Sequence, residues 1–283
     1  MPPDPQPFLE LAMNFRAVWF DSYGVLKDAG GVIAGGPATL AALADAGIEV
    51  RVLTNDASRS QGQQAERFHD LGYGGLRAGH IITSGMMARL FLREKVTTGS
   101  VAYLGTSNAA GYVFAAGRVA VPVGEVRPEE YDDIAAVAFL DDEGFDYNTD
   151  LNAAINLLRA RNVPVVVANS DKLYPVRGGR VALATGGIAQ LVESLVGRAF
   201  MRFGKPDTQM FNYAFEDLNR DDSYAKREVL MVGDTLHTDI LGGNRFGIQT
   251  CLTLSGNTSA RAYRYDIDHS GILPDFVVEG IGS

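Results

Sequence analysis

Ala17-Val-Trp-Phe-Asp-Ser-Tyr-Gly-Val-Leu-Lys27 runs an apolar segment straight into a carboxylate and then into a glycine turn. Val18, Trp19 and Phe20 are a short continuous apolar run, as expected of a strand buried on both faces of a parallel sheet. Open α/β sheets place their chemistry just beyond the carboxyl ends of such strands, and Asp21 stands there. An aspartate closing a strand as an ordinary turn residue fits this stretch equally well. Later segments decide between the two readings.

Working outward, Gly24, Gly30, Gly31, Gly35 and Gly36 make a flexible loop, and Pro37 opens a helix that stops at Gly47. A strand from Ile48 to Thr54 follows, then a helix from about Ser58 to Leu71. Strand, helix, strand, helix is the order of a parallel sheet with crossover helices. From about Ser100 the pattern restarts: strands at Val101–Leu104, Ile134–Leu140 and Val163–Ala168, with a helix from about Thr149 to Arg161 between the last two. A loop beginning Asn169-Ser170-Asp171 leads through a glycine-rich turn to a helix ending near Gly197. Gly204-Lys205-Pro206 then precedes a helix to about Leu218. The strand Val229–Val232 runs into Gly233-Asp234, with Asp239 five residues later. The expected class is α/β: a Rossmann-like parallel-sheet core with an inserted α/β cap domain. Residues 1–83 form the first part of the core, 84–198 the cap, and 199–283 the second part of the core.

Four segments, Asp21 after the first strand, Thr54 after the second, Lys205 before a helix, and Gly233-Asp234 with Asp239 after another strand, together resemble the four motifs of the haloacid dehalogenase superfamily. Most of its members are phosphatases. The insertion lies between Thr54 and Lys205, and this resembles class IIA, which includes nitrophenyl, pyridoxal phosphate, nucleotide and sugar phosphate phosphatases. The resemblance implies that Asp21 is a nucleophile forming an aspartyl-phosphate. It implies that Asp21, Asp234 and the Tyr23 backbone carbonyl offer Mg²⁺ the hard oxygens it prefers, with Asp239 as a further or water-bridged ligand. Ser22, Gly24, the Thr54 hydroxyl, the Asn55 backbone N–H and the Lys205 ammonium are the expected phosphate contacts. Lysine is more often a solvated surface group; Pro206, read as opening a helix at once, favours the anion site for Lys205.

One position departs from the family. Its phosphatases carry Asp-x-Asp in the first motif, the second Asp shuttling the leaving-group proton, and here that place holds Tyr23. Asp-x-Tyr-Gly is the pattern of the 2-haloacid dehalogenases, which need no metal. Two features favour a phosphatase: the dehalogenases insert their cap after the first motif, and they lack the Gly-Asp ligand retained in Gly233-Asp234. A catalytically weak member that binds a phosphorylated metabolite is the third reading. In the cap, Asn169-Ser170-Asp171 resembles an Asn-Pro-Asp specificity loop, so Asp171 either meets a substrate hydroxyl or amine or stands in water. Asp141, Asp142 and Glu143 read as a solvated acidic rim.

The 283 residues are 46% hydrophobic and 21% charged, with a formal net charge of −9. This balance describes a globular protein and argues against nucleic-acid or anionic-membrane partners. The expected partner is a small phosphorylated metabolite, and the reading allows a homodimer. Cys251, the single cysteine, reads as a buried thiol in a reducing compartment. The proline-rich N-terminus lacks signal-peptide character and reads as a mobile tail of a cytoplasmic protein.

Overall fold

The computed structural model describes residues 2–176 and 180–282; the glycine-rich turn expected at Gly178-Gly179 lies outside them. The strands in chain order are β1 (Ala17–Phe20), β2 (Lys27–Asp28), β3 (Gly31–Val32), β4 (Glu49–Thr54), β5 (Ile81–Thr83), β6 (Ser100–Leu104), β7 (Ala120–Pro122) and β8 (Ile134–Phe139). They continue as β9 (Val165–Val167), β10 (Leu173–Val176), β11 (Arg180–Leu183), β12 (Met201–Arg202), β13 (Val229–Gly233), β14 (Gln249–Thr253) and β15 (Phe276–Val278). The helices are α1 (Phe8–Ala12), α2 (Gly36–Asp45), α3 (Gln61–Asp70), α4 (Ser84–Lys95), α5 (Gly111–Ala115), α6 (Asp150–Ala160), α7 (Thr185–Val196), α8 (Thr208–Leu218), α9 (Leu241–Phe246) and α10 (Tyr263–Ser270). Among the described residues no helix is long and apolar enough to cross a membrane.

The chain divides into two compact units, one of residues 1–54, 61–82 and 205–283, the other of residues 55–60 and 83–204. The first holds a six-stranded sheet in the order β15-β14-β13-β1-β4-β5. Central β1 pairs in parallel with β13 and β4, Phe20 lying beside Val232 and Val52. Alternation explains its wholly apolar sequence. Val18 and Phe20 enter one core with Phe8, Leu43 and Val232, while Trp19 points the other way against Phe211 and Phe246. A side chain buried as fully as Phe20 contributes about 1.5–3 kcal/mol. Because β1 and β13 run parallel in register, the residues that follow them, Asp21 and Asp234, leave the sheet at the same edge.

The second unit holds a five-stranded parallel sheet, β12-β9-β8-β6-β7. Its core includes Val137, Phe139, Leu157, Val167 and Ile188. Met201–Arg202, placed by pattern in the last core segment, pairs instead with β9. A two-residue strand is too short to announce its sheet by periodicity.

Three local expectations are corrected. From Pro5 onward the N-terminal segment is not a tail: Pro5 bridges to Val277, Gln6 N–H donates to Val277 O at 3.0 Å, and Phe8, Leu11 and Ala12 of α1 are buried. The glycine-rich loop after Asp21 contains an antiparallel hairpin, with Lys27 opposite Val32 and Asp28 opposite Gly31. The helix after Lys205 starts at Thr208, because the Asp207 side chain caps it by accepting from Gln209 N–H at 3.1 Å.

Candidate active site

Within the first unit, β1 delivers Asp21, whose N–H donates to Val232 O at 2.8 Å, and β13 delivers Gly233-Asp234. Asp239 lies in a π-type turn from Leu236 to Ile240, a wide turn recurrent at functional sites. Its Oδ2 accepts from Thr235 N–H at 3.1 Å. That turn brings Asp239 back against Gly233, where any Cβ would collide with the Asp239 side chain. Gly24, at φ +83°, serves both backbone and space, since a Cβ there would run into the Asp234 carboxylate. Each glycine of the two motifs thus makes room for a carboxylate.

Asp21, Asp234 and Asp239 each place a carboxylate oxygen within 4.8 Å of the others. Lys205 is embedded among them, 2% exposed, donating to Asp21 Oδ1 at 2.5 Å and lying 2.7 Å from Asp239 Oδ1. Distance pairs the latter charges, yet that oxygen has no aligned hydrogen-bond donor among the described residues. Burial alone would push the Lys205 ammonium toward its neutral form, but the Asp21 and Asp239 charges outweigh it and hold the pKa above the ordinary lysine range. Burial raises the Asp234 pKa, reinforced by the charges of Asp21 and Asp239. The Asp239 carboxyl is raised by burial and by Asp21, against the opposing pull of Lys205. With all three carboxylates ionised and one ammonium among them, two charges are left uncompensated. A divalent cation held by hard oxygens fits this deficit in both charge and donor type.

Ser22 is buried, and its carbonyl accepts from Leu26 and Lys27 N–H at 3.0 and 3.1 Å. The Gly24 carbonyl is fixed by the Ser255 hydroxyl at 2.7 Å. Thr54 is buried at the end of β4, two residues beyond the partner of Phe20. A loop that pattern reading passed over also shapes the centre. Asn257 N–H donates to Asp234 Oδ2 at 2.7 Å, and Thr235 Oγ1 donates to Asp234 Oδ1 at 2.8 Å. The signal was available in Ser255-Gly-Asn257, a further polar turn at a strand end.

In the second unit Asn55 and Asp171 come together. The Asn55 carboxamide donates to Asp171 Oδ1 at 2.9 Å and to Ser170 Oγ at 3.1 Å, while the Asn55 backbone carbonyl accepts from Ser84 Oγ at 2.8 Å. Asp171 therefore holds Asn55, a relation invisible across 116 residues of sequence. The acidic turn is also no solvated rim. Asp141 accepts from Thr106 Oγ1 at 3.0 Å, Asp142 accepts from Tyr174 Oη at 3.1 Å, and only Glu143 of the three is exposed.

Burial, with the charges of Asp142 and Asp56 adding to it, moves the Asp141 pKa up to about 6. A raised carboxyl disfavours the folded state once ionised: the penalty is absent below the unfolded value near 4, grows through the interval and is complete above about 6. Asp141→Asn is therefore expected to stabilise the protein more at pH 8 than at pH 5, by roughly 0.5–1 kcal/mol after solvent screening. Denaturant titrations at the two pH values measure it. An equal effect at both would show that Asp141 is as well solvated folded as unfolded.

Comparison with known proteins agrees with this geometry. Residues 18–118 match the family model described as haloacid dehalogenase-like hydrolase, and residues 202–283 match a second, HAD-like hydrolase model. Mouse chronophin is 34% identical over 277 residues, covering 94% of this chain and 90% of its own. Chicken glycerol-3-phosphate phosphatase is 30% identical, covering 95% and 90%. A crystal structure from Cytophaga hutchinsonii, described as a possible sugar phosphatase of the superfamily, superposes at a TM-score of 0.96 with 43% identity over 99% of both chains. The glycerol phosphate phosphatase of Mycobacterium tuberculosis, solved in complex with calcium, gives 0.76 with 25% identity over 96% of this chain and 75% of that one. The chain belongs to the haloacid dehalogenase-like hydrolases, and within them to the class IIA phosphatases. Its enzyme class is accordingly a phosphatase.

Proposed function

We propose that this chain is a Mg²⁺-dependent phosphatase of small phosphorylated metabolites, of the sugar phosphate, nucleotide or pyridoxal phosphate type, working through an aspartyl-phosphate. The observation that carries the reading is the group of half-buried Asp21 with buried Asp234 and Asp239 around Lys205. With Asp21 Oδ1 held by the ammonium, Oδ2 attacks phosphorus. The bond from phosphorus to the leaving oxygen breaks, and that oxygen departs with the bonding pair. Water then cleaves the acyl phosphate, returning the Asp21 carboxylate and releasing phosphate. Lys205 orients the nucleophile and screens its charge from the incoming anion, which is positioning and electrostatic stabilisation. Asp21, Asp234, Asp239 and the Tyr23 carbonyl are the proposed Mg²⁺ ligands, and the ion when bound neutralises charge on the phosphoryl oxygens. Ser22, Gly24, the Thr54 hydroxyl and the Asn55 N–H are the proposed phosphate contacts. Asp171 is proposed to set preference among substrates. The relatives that act on glycerol phosphate and the sugar phosphatase likeness support small alkyl phosphates as first candidates.

A phosphate-release screen over sugar phosphates, nucleotides, pyridoxal phosphate, nitrophenyl phosphate and acyl phosphates, with Mg²⁺ and with chelator, tests the reading. Activity is expected to vanish with chelator and return with Mg²⁺. Asp234→Asn is expected to raise the Mg²⁺ concentration needed for half-maximal rate by tenfold or more, on the order of the loss of one charged contact. Chelator-resistant release of chloride from 2-chloropropionate would overturn the proposal in favour of a metal-free dehalogenase.

A further inference from the structure

Asp234 is held by the loop that follows β14, and the residues that hold it form a closed circuit. Both of its carboxylate oxygens already accept: Asn257 N–H donates to Oδ2 at 2.7 Å, and the Thr235 hydroxyl donates to Oδ1 at 2.8 Å. A hydroxyl has one proton, and once that proton goes to a carboxylate the oxygen can only accept. The Asn257 carboxamide meets this need, donating through Nδ2 to Thr235 Oγ1 at 2.8 Å. Asn257 thus grips one oxygen of Asp234 directly and the other through Thr235. The backbone secures the loop to the same residue, with Thr258 N–H donating to Asp234 O at 3.1 Å. Thr235 N–H also donates to Asp239 Oδ2 at 3.1 Å, so one residue sets two carboxylates of the centre. Gly24 and Gly256 crowd the Asp234 carboxylate further, since a Cβ on either would collide with Oδ2. An aspartate carboxylate ordinarily turns broadly about its last torsion. This one is pinned at both oxygens.

We infer that the relay from Asn257 through Thr235 is a metal-selectivity device, which holds Asp234 in one orientation and so favours Mg²⁺ over Ca²⁺ at the centre. The inference rests on the metal reading of that centre. Mg²⁺ requires near-ideal octahedral geometry with short bonds, whereas Ca²⁺ takes about six to eight oxygens, binds carboxylates through one oxygen or both, and tolerates flexible sites. A carboxylate pinned at both ends presents one fixed direction, which suits the smaller ion. It denies the larger ion the rotation by which a second oxygen would join. Asn257 and Thr235 are positioning residues in this account, acting through Asp234 as outer partners of metal-binding carboxylates do.

Calorimetric titration of the chelator-stripped full chain with MgCl₂ and with CaCl₂ tests the relay without reference to turnover. Asn257→Ala removes the outer donor and keeps the backbone N–H to Oδ2, and Thr235→Val removes the hydroxyl with little change of shape. Each should raise the Mg²⁺ Kd about tenfold, the lower end of what losing such a support costs a metal site. The Ca²⁺ Kd should stay level or fall, so the preference for Mg²⁺ drops by the same factor. Thr235→Ser retains the hydroxyl and should keep both constants at their wild-type values. The double variant should be no worse than Thr235→Val alone, because both substitutions cut one relay. Metal-free melting temperatures of the variants should match wild type, which locates the change in the ion site and not in the fold. Equal weakening of both ions, the mark of a merely structural role, would overturn the inference, and so would an unmoved Mg²⁺ Kd. If Thr235→Val does not fold, Asn257→Ala, at an exposed position, still decides. Wild type binding neither ion would sink the metal reading and the relay together, whereas wild type binding Mg²⁺ with Asn257→Ala indistinguishable from it would sink the relay alone.

Discussion

Asp21→Asn is expected to lower turnover on every substrate by roughly 10⁴-fold or more, the scale seen when a nucleophile is removed, without loss of folded stability. An amide oxygen does not form the acyl phosphate, so both aryl and alkyl substrates lose the same step. The stability side follows from the charges. With all three carboxylates ionised and Lys205 protonated, the formal sum is −2, and neutralising Asp21 reduces it to −1. Burial and the Asp21 charge together raise the Asp234 and Asp239 pKa values, so removing that charge relieves both groups. Lys205 keeps Asp239 as a partner at 2.7 Å. The metal-free variant is therefore expected to melt at or above the wild-type temperature. Phosphate release and thermal unfolding on the same preparation check the pair of effects. Turnover within tenfold of wild type would identify another nucleophile, and a melting point lowered by many degrees would show that Asp21 is structural.

The centre was legible where chemistry follows a long strand. Asp21 and Asp234 each close an apolar run of four or more residues that alternation buries on both faces, so strand and carboxylate announce each other. Lys205 was legible as a residue, but the reason offered, a helix starting at Pro206, was not the one at work; Asp207 starts the helix and carboxylates hold the ammonium. What stayed illegible is either very short or very long in sequence. The β2–β3 hairpin and β12 have two residues per strand and no period to detect. The bond from Asn55 to Asp171 joins residues with no pattern in common. The half-burial of Asp141 and Asp142 reverses the usual fate of an acidic turn, because Thr106 and Tyr174 donate to them.

Lys205→Ala is expected to lose both activity and stability, and the conditions under which each loss appears identify its origin. Removing the ammonium strands Asp21, Asp234 and Asp239 in a largely buried site, and breaking a buried pair in this way costs about 3–5 kcal/mol. Turnover should fall about 10²-fold to 10³-fold on every substrate, since the lost donor orients the nucleophile common to all of them. Deleting a long side chain also leaves a cavity, so Lys205→Met, which keeps volume without charge, separates the two causes. If charge dominates, Met should be nearly as destabilising as Ala. The pH dependence has a definite sign. The Asp234 and Asp239 carboxyls titrate above their unfolded values, so their repulsion is absent when both are protonated and grows as pH rises through the folded values. The destabilisation of both variants should therefore be smaller at pH 5 than at pH 8. Millimolar Mg²⁺ at pH 8 should recover part of it, because a ligand bound only by the folded state stabilises by mass action. Denaturant midpoints at the two pH values, in chelator and in Mg²⁺, supply the measurement. A loss equal in all four conditions, and larger for Ala than for Met, would trace the effect to packing and remove Lys205 from the electrostatic account of this site.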